Sequence, residues 1–241
     1  MSRNVFDTPS FFSKYMELRK DYNHNDLLEH PEMERLCPSL KGKRVIDLGC
    51  GYGSYAKSFI EKGASYYLGI DASENMIRKA ENENAGDKIE YKVMNLDDLG
   101  SIEGNFDLAY SSLVFHYIED FDKLLRNVHS ILNDGGILLF SQMHPIISAS
   151  YAYSGYFEGD YFAFSSYQEE GRREGHWFKQ KVISYHRKMS SIINSLSSAG
   201  FMIEKISEPI PTSEAIRELP ALEKDLTRPT FLIVRARKIN I

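Results

Sequence analysis

Residues 43–54, KRVIDLGCGYGS, constrain the fold more than any other stretch of the chain. A short apolar run stops at Asp47 and gives way to glycines at 49, 51 and 53. Arg44 to Leu48 reads as a buried strand, Gly49 to Gly53 as a tight loop, and Ser54 onward as the start of a helix. Glycine in these places permits positive φ and lets a ligand lie against bare backbone, while the following helix turns free N–H groups toward it. That is the pattern of a nucleotide-type binding loop, weighed against a plain β-to-α turn. A dinucleotide fold wants G-x-G-x-x-G, and Ser54 occupies the place of its third glycine. Asp47 points another way. A carboxylate just before the first glycine suits a ligand carrying a cationic amino group and repels a pyrophosphate.

Downstream the pattern alternates strand and helix. The first helix continues from Tyr55 to Glu61 and ends at Gly63, and Tyr66 to Ile70 forms a second strand closing on Asp71. Ala72 to Asn82 gives a second helix capped by Ser73, with Met76, Ile77 and Ala80 facing inward. Strands follow at Ile89 to Val93, Phe106 to Ser111 and Gly136 to Gln142, the last after a helix at Phe121 to Leu132 and a turn at Asn133 to Gly135. Such alternation implies an α/β fold: a Rossmann-like, mostly parallel sheet with helices on both faces and the ligand outside the carboxyl ends of the strands. Helical periodicity returns at His186 to Ala199, a sixth strand at Phe201 to Ser207 and a seventh at Thr230 to Arg237. Between the last two strands the proline-punctuated connection carries only one short helix, at Ser213 to Leu219, so the seventh is expected to enter antiparallel.

The chain divides as one domain with four parts: a helical N-terminal arm over 1–42, a cofactor-binding core over 43–143, an insertion over 144–185 and a C-terminal core half over 186–241. The arm has Phe11, Phe12, Tyr15, Met16 and Leu18 on one helical face, and Asn25 or Asp26 as cap of a short second helix before Pro31. Tyr15, Arg19 and Tyr22 on it are candidate substrate contacts, against the plainer role of covering the core edge. The insertion breaks the alternation at His144-Pro145 and is rich in Tyr, Phe, Ser and Gly. Placed after a strand's carboxyl end, it is expected to form a lid over the acceptor, with Tyr161 and Trp177 as substrate contacts. The rival use of the same rings is a homodimer interface.

The 241 residues carry a net charge of -5, which gives no electrostatic reason to expect nucleic acid as partner. Cys37 and Cys50 lie in unrelated contexts and suggest neither a disulfide framework nor a metal site. No apolar stretch approaches the ~18 residues of a membrane span, and the N-terminus lacks a basic region followed by an apolar core. A cytoplasmic protein is expected.

DLGCGYG, the acid Asp71 at the second strand end, FDLAYSSLVFHYIED and LNDGGILLF together resemble the class I S-adenosylmethionine-dependent methyltransferases over nearly the whole chain. NDLLEHPEMERLCPSLKGKRVIDLGCGYG, SQMHP and the end SYHRKM…LSSAGF…EP…RPTFLIVRARK look like one bacterial branch with the type 11 methyltransferase domain, acting on small molecules. The resemblance implies S-adenosylmethionine as cofactor. It gives Asp47 and the backbone of Gly49 and Gly51 the methionine part, and Asp71 the two ribose hydroxyls. Asn95 stands where many relatives have an adenine-contacting Asp, followed by Leu96; Met76 packs on the adenine face or fills core, and Ser111 is placed on the cofactor side.

Methyl transfer from a sulfonium is an in-line displacement that depends chiefly on proximity and orientation, so the absence of a catalytic motif carries no information. Where the acceptor is protic, a general base helps, and histidine is the best-suited type near neutral pH. His116, His144 and His186 are the candidates, each weighed against a structural role in holding a loop. A small-molecule methyltransferase is the first reading. The alternatives are a tRNA or protein methyltransferase and a regulatory protein that holds the cofactor without turnover, because the glycine loop and its acids serve binding alone.

Overall fold

In the computed structural model, which describes residues 4–20, 22–150, 156–158, 161–163 and 165–240, the run before the glycines forms strand β1 (Arg44–Leu48). Ahead of it come α1 (Pro9–Leu18), a π-helical turn (Asn25–Glu29) and α2 (His30–Leu36). The arm thus differs from the expected pair of helices: the Asn25–Glu29 turn has no side-chain cap and runs directly into α2, whose start accepts Pro31 because N–H groups in the first turn of an α-helix have no acceptor within that helix.

The alternation follows as expected: α3 (Ala56–Glu61), β2 (Tyr66–Asp71), α4 (Glu74–Glu83), β3 (Ile89–Val93), β4 (Phe106–Ser111), α5 (Phe121–Ile131) and β5 (Leu132–Met143). Ser73 caps α4, its Oγ accepting from the Met76 N–H at 3.2 Å. After β5 come α6 (Pro145–Ala149), the short hairpin β6 (Tyr156–Glu158) and β7 (Tyr161–Ala163), and the longer hairpin β8 (Gly171–Trp177) and β9 (Gln180–His186). The chain ends with α7 (Met189–Ser198), β10 (Phe201–Ser207), α8 (Ser213–Glu218) and β11 (Phe231–Lys238). His186 therefore closes a strand and does not open a helix. Its ladder pairing with Gly171 overrides the local helical periodicity.

Seven strands form one sheet in the order β10-β11-β5-β4-β1-β2-β3. β1 to β5 pair parallel, and β11 slots antiparallel between β5 and β10. The period of two along each strand divides the core between the faces. Val45 and Leu108 pack with Met33, Leu36 and Phe59 beneath α2 and α3, while Ile46 and Ala109 pack with Leu124, Leu125, Ile192 and Leu196 of α5 and α7. Asp47 falls on the Val45 face, between Gly69 of β2 and Tyr110 of β4, at the carboxyl edge where crossover connections leave a crevice. None of the described helices is long and apolar enough to cross a membrane.

Candidate functional site

The glycine loop is tied down by β2. The Gly49 and Cys50 N–H groups donate to the Ile70 carbonyl at 2.8 and 2.9 Å, and the Gly51 N–H donates to Asp71 Oδ2 at 2.9 Å. The other Asp71 oxygen accepts the Ser73 N–H at 2.8 Å. Gly49 and Gly51 have φ of +82° and +53°. A Cβ on Gly51 would meet nothing within 4 Å, so this backbone faces open space.

That space is a cavity of about 740 Å³ at the carboxyl ends of the strands. Gly49, Gly51, Asp71, Met76, Asn95 and Leu96 line one side. Tyr15, Arg19, His116, Tyr117, Ile147 and Trp177 line another, bringing the arm and the insertion to the same space. A smaller recess of about 260 Å³ adjoins it, sharing Tyr15, Arg19, Gly49, Gly51 and Ser112 and adding Asp47, His30 and Tyr55. Asp47 is buried, and its Oδ2 accepts the Tyr67 hydroxyl at 2.7 Å. Burial pushes its carboxyl up to about 7, against the Tyr67 bond, which favours the charge. Burial likewise pushes Asp71 up to about 6, although the two backbone donors oppose it.

Aromatic rings roof the cavity. Trp177 meets Phe11 and Tyr15 edge-on at 5.4 and 5.7 Å and stacks on Phe178 at 5.2 Å, while Phe6 contacts Phe11 at 5.0 Å. The hairpin tip that carries these rings turns at Phe178 and Lys179, both at positive φ. Beneath the roof, Arg19 donates to the Tyr15 hydroxyl at 2.9 Å and to Asn23 Oδ1 at 3.2 Å, and its Nε is buried with no hydrogen-bond partner among the described residues.

The structure corrects several sequence-based expectations. Tyr22 lies beyond the end of α1 and is 73% exposed, outside the cavity. Ser111 is buried behind the site, donating to the Leu48 carbonyl at 2.7 Å to join β4 to β1; its neighbour Ser112 reaches the cavity. His144 does not line the cavity: Nδ1 caps α6 by accepting from Ile146 N–H at 3.1 Å, and Nε2 lies 2.8 Å from Glu208. His186 is also outside, held between Ser148 at 2.8 Å and the Tyr167 carbonyl at 2.9 Å. His116 does line the cavity, but burial and the charge of Arg187 press its pKa down to about 3. Its Nδ1 accepts the Met143 N–H at 3.4 Å, which leaves the proton on Nε2. The ring is a neutral donor and a poor base. Asn95 uses Oδ1 to accept the Asp97 N–H at 3.1 Å, capping the turn Leu96–Ser101. The Tyr161 side chain lies outside the described residues. Phe6, Ser112, Val114, Tyr117 and Ile147 line the cavity without having stood out in the sequence; Ser112 and Val114 follow the end of β4, the usual place for ligand contacts.

Residues 46–140 match the methyltransferase-domain family. A solved S-adenosylmethionine-dependent methyltransferase from Mesorhizobium loti shares 38% identity, covers 87% of this chain and 97% of its own, and superposes with a TM-score of 0.82. The chain belongs to the S-adenosylmethionine-dependent methyltransferases. This methyltransferase uses S-adenosylmethionine as cofactor, and its sheet, with one antiparallel strand, has the family's fold. An uncharacterized protein of Haemophilus influenzae is 36% identical over 98% of both chains. A ubiquinone biosynthesis O-methyltransferase of Neisseria meningitidis is 30% identical over 46% of this methyltransferase, which spans about half (52%) of that relative's length.

Proposed function

We propose that this methyltransferase transfers a methyl group to a small-molecule acceptor held between the glycine loop and the aromatic roof. The observation that carries the reading is the cavity of about 740 Å³, lined by the loop on one side and by the arm and hairpin on the other. The residues fit the cofactor. Gly51 presents bare backbone to open space, Asp71 keeps lone pairs beyond its two backbone donors for the ribose hydroxyls, and buried Asp47 offers an anion for the methionine ammonium. Met76 and Leu96 supply apolar contacts for the adenine.

When bound, the cofactor supplies an activated methyl on a sulfonium. The protein's part is to orient the acceptor in line with that methyl and to exclude water. Trp177, Tyr15, Tyr117 and Ile147 form the apolar wall that does both, and His116 Nε2–H gives the wall a fixed donor. The oxygen acceptor named for the Neisseria relative, which is matched over about half of its length (52%), supports an oxygen acceptor here.

The test is methyl transfer from labelled cofactor across a panel of small hydroxyl, amine, thiol and carboxylate compounds, with bulk tRNA and whole-cell protein as parallel acceptors. Transfer to a small compound is expected. Labelling confined to tRNA or protein would overturn the reading.

A further inference from the structure

Glu29, the last residue of the π-helical turn, is fully buried, yet among the described residues its one ion-pair contact is His30. Oε1 accepts the Ser112 hydroxyl at 2.9 Å and the Ser141 hydroxyl as well. Oε2 stands 3.2 Å from His30 Nε2 without hydrogen-bond geometry and has no hydrogen-bond partner among the described residues. A carboxylate buried with so little compensation is costly, and π-helical turns gather at functional sites. Ser112 is the link outward: it lines both the main cavity and the adjoining recess, where the glycine loop and the acceptor space meet.

We propose that Glu29 accepts, through the Ser112 hydroxyl, the proton of an aromatic hydroxyl acceptor, which deepens and rests on the small-molecule reading above. The acceptor O–H gives its proton to Ser112 Oγ as Ser112 passes its own proton to Glu29 Oε1. The acceptor oxygen then forms the bond to the methyl carbon while the carbon–sulfur bond breaks and its electron pair stays on sulfur. The sulfonium becomes a neutral thioether, and Glu29 later returns the proton to water. The class of acceptor follows from the cavity. Its walls are aromatic, which suits a flat ring, and Arg19 and Lys181 line it, which disfavours a cationic amine.

The cavity's histidine leaves this role open, since His116 Nδ1 is already taken by the Met143 N–H. The groups around Glu29 set its proton affinity. Burial raises it, His30, Arg19 and the two serine hydroxyls oppose that, and Asp47, Tyr55 and Tyr110 lie close enough for their charges to couple with it. Glu29 is thus a positioning and proton-holding residue acting through Ser112.

The experiment compares two phenols of different acidity in the full-length protein with S-adenosylmethionine: catechol, protonated at neutral pH, and 4-nitrophenol, which is largely ionised at mildly alkaline pH and needs no base. Glu29→Gln is expected to lower kcat on catechol by about 100-fold and to abolish the acid limb of its pH profile. Turnover of 4-nitrophenol at mildly alkaline pH should change by no more than about twofold, with cofactor affinity retained. Ser112→Ala should reproduce the split, and the double variant should be no worse than either single one, as expected for groups acting as a unit. Should Glu29→Gln fail to fold, Ser112→Ala alone decides the matter. Equal losses on both phenols would overturn the relay and leave Glu29 a structural pin. Wild-type transfer to amines or thiols but not phenols would overturn the acceptor class while the small-molecule reading stood, and no transfer to any small compound would overturn both.

Discussion

Tyr67 donates its hydroxyl to Asp47 at 2.7 Å, both side chains buried, with Asp47 two residues before the first glycine of the loop. The bond stabilises the Asp47 charge against burial, and the result of the contest is a carboxyl near pH 7 rather than in the usual range. The sign for the cofactor-free protein follows: a raised acid favours the protonated folded form, so the stability linked to Asp47 is fully present below the ordinary carboxylate range and is lost as pH rises through about 7. A cationic ammonium requires the ionised form, so cofactor binding runs the other way.

Cofactor affinity is therefore expected to rise with pH across the window from about 6, where Asp71 ionises, to about 7, where Asp47 does. On the acid side it should fall by up to about tenfold per pH unit for each proton taken up. Tyr67→Phe removes the bond that favours the charge and should displace the curve to higher pH. Calorimetric titration at stepped pH measures both, and a flat profile in wild type would remove Asp47 from the ammonium site.

Asp71 lines the cavity and also anchors backbone. It fixes the Gly51 and Ser73 N–H groups, so Asp71→Ala should weaken cofactor binding by about 1.5–3 kcal/mol and also loosen the loop. Asp71→Asn keeps one carbonyl acceptor and should lose less. Unchanged affinity in the alanine variant would refute the ribose assignment.

Gly49 and Gly51 separate folding from binding. A Cβ at Gly49 would press on the Val114 γ-methyls, with Cγ1 at 2.8 Å, and the φ of +82° adds strain. Gly49→Ala should lower the melting temperature by several degrees, corresponding to about 1–3 kcal/mol. A Cβ at Gly51 would meet nothing, so Gly51→Ala should be destabilised by only about 1–2 kcal/mol from its left-handed φ, yet lose cofactor binding by a larger factor because the methyl occupies the ligand's space. Thermal melts paired with calorimetry separate the two effects.

What the sequence revealed and what it hid have physical reasons. The β1 loop was legible because an apolar run, an acid and three glycines at alternate positions have few other uses. The β8–β9 hairpin was not, because its tip is Phe178-Lys179, and the Asn or Gly that normally marks two residues at positive φ is absent. Phe178 is held there by packing on Phe11 and Trp177, a tertiary effect with no local signature. The same limit misplaced the function of Ser111. A side chain's direction at a strand end depends on pleat and register, and one residue decided whether a hydroxyl joined β4 to β1 or faced the cavity. Glu29 was silent because nothing in a helical stretch shows that an acid will point at Ser112, just past the end of β4, and at Ser141 of β5.

Trp177 is the chain's one tryptophan, so its fluorescence reads the roof directly. Its rings against Phe11, Tyr15 and Phe178 contribute about 0.5–1.5 kcal/mol each, and they join the insertion to the arm above the acceptor space. Trp177→Ala should raise KM for the acceptor and lower turnover through water entry, while cofactor affinity, set on the strand loops, stays within about twofold. Acceptor binding to wild type should shift the Trp177 emission, whereas binding of the cofactor alone should shift it less, because Trp177 lines the cavity on the side of the arm and hairpin and does not reach the recess that holds Asp47. The competing use of these rings is association between copies of the chain. Light scattering on Trp177→Ala separates the two: an unchanged mass with impaired turnover supports the roof, and a fall in mass with unimpaired turnover assigns the rings to an interface.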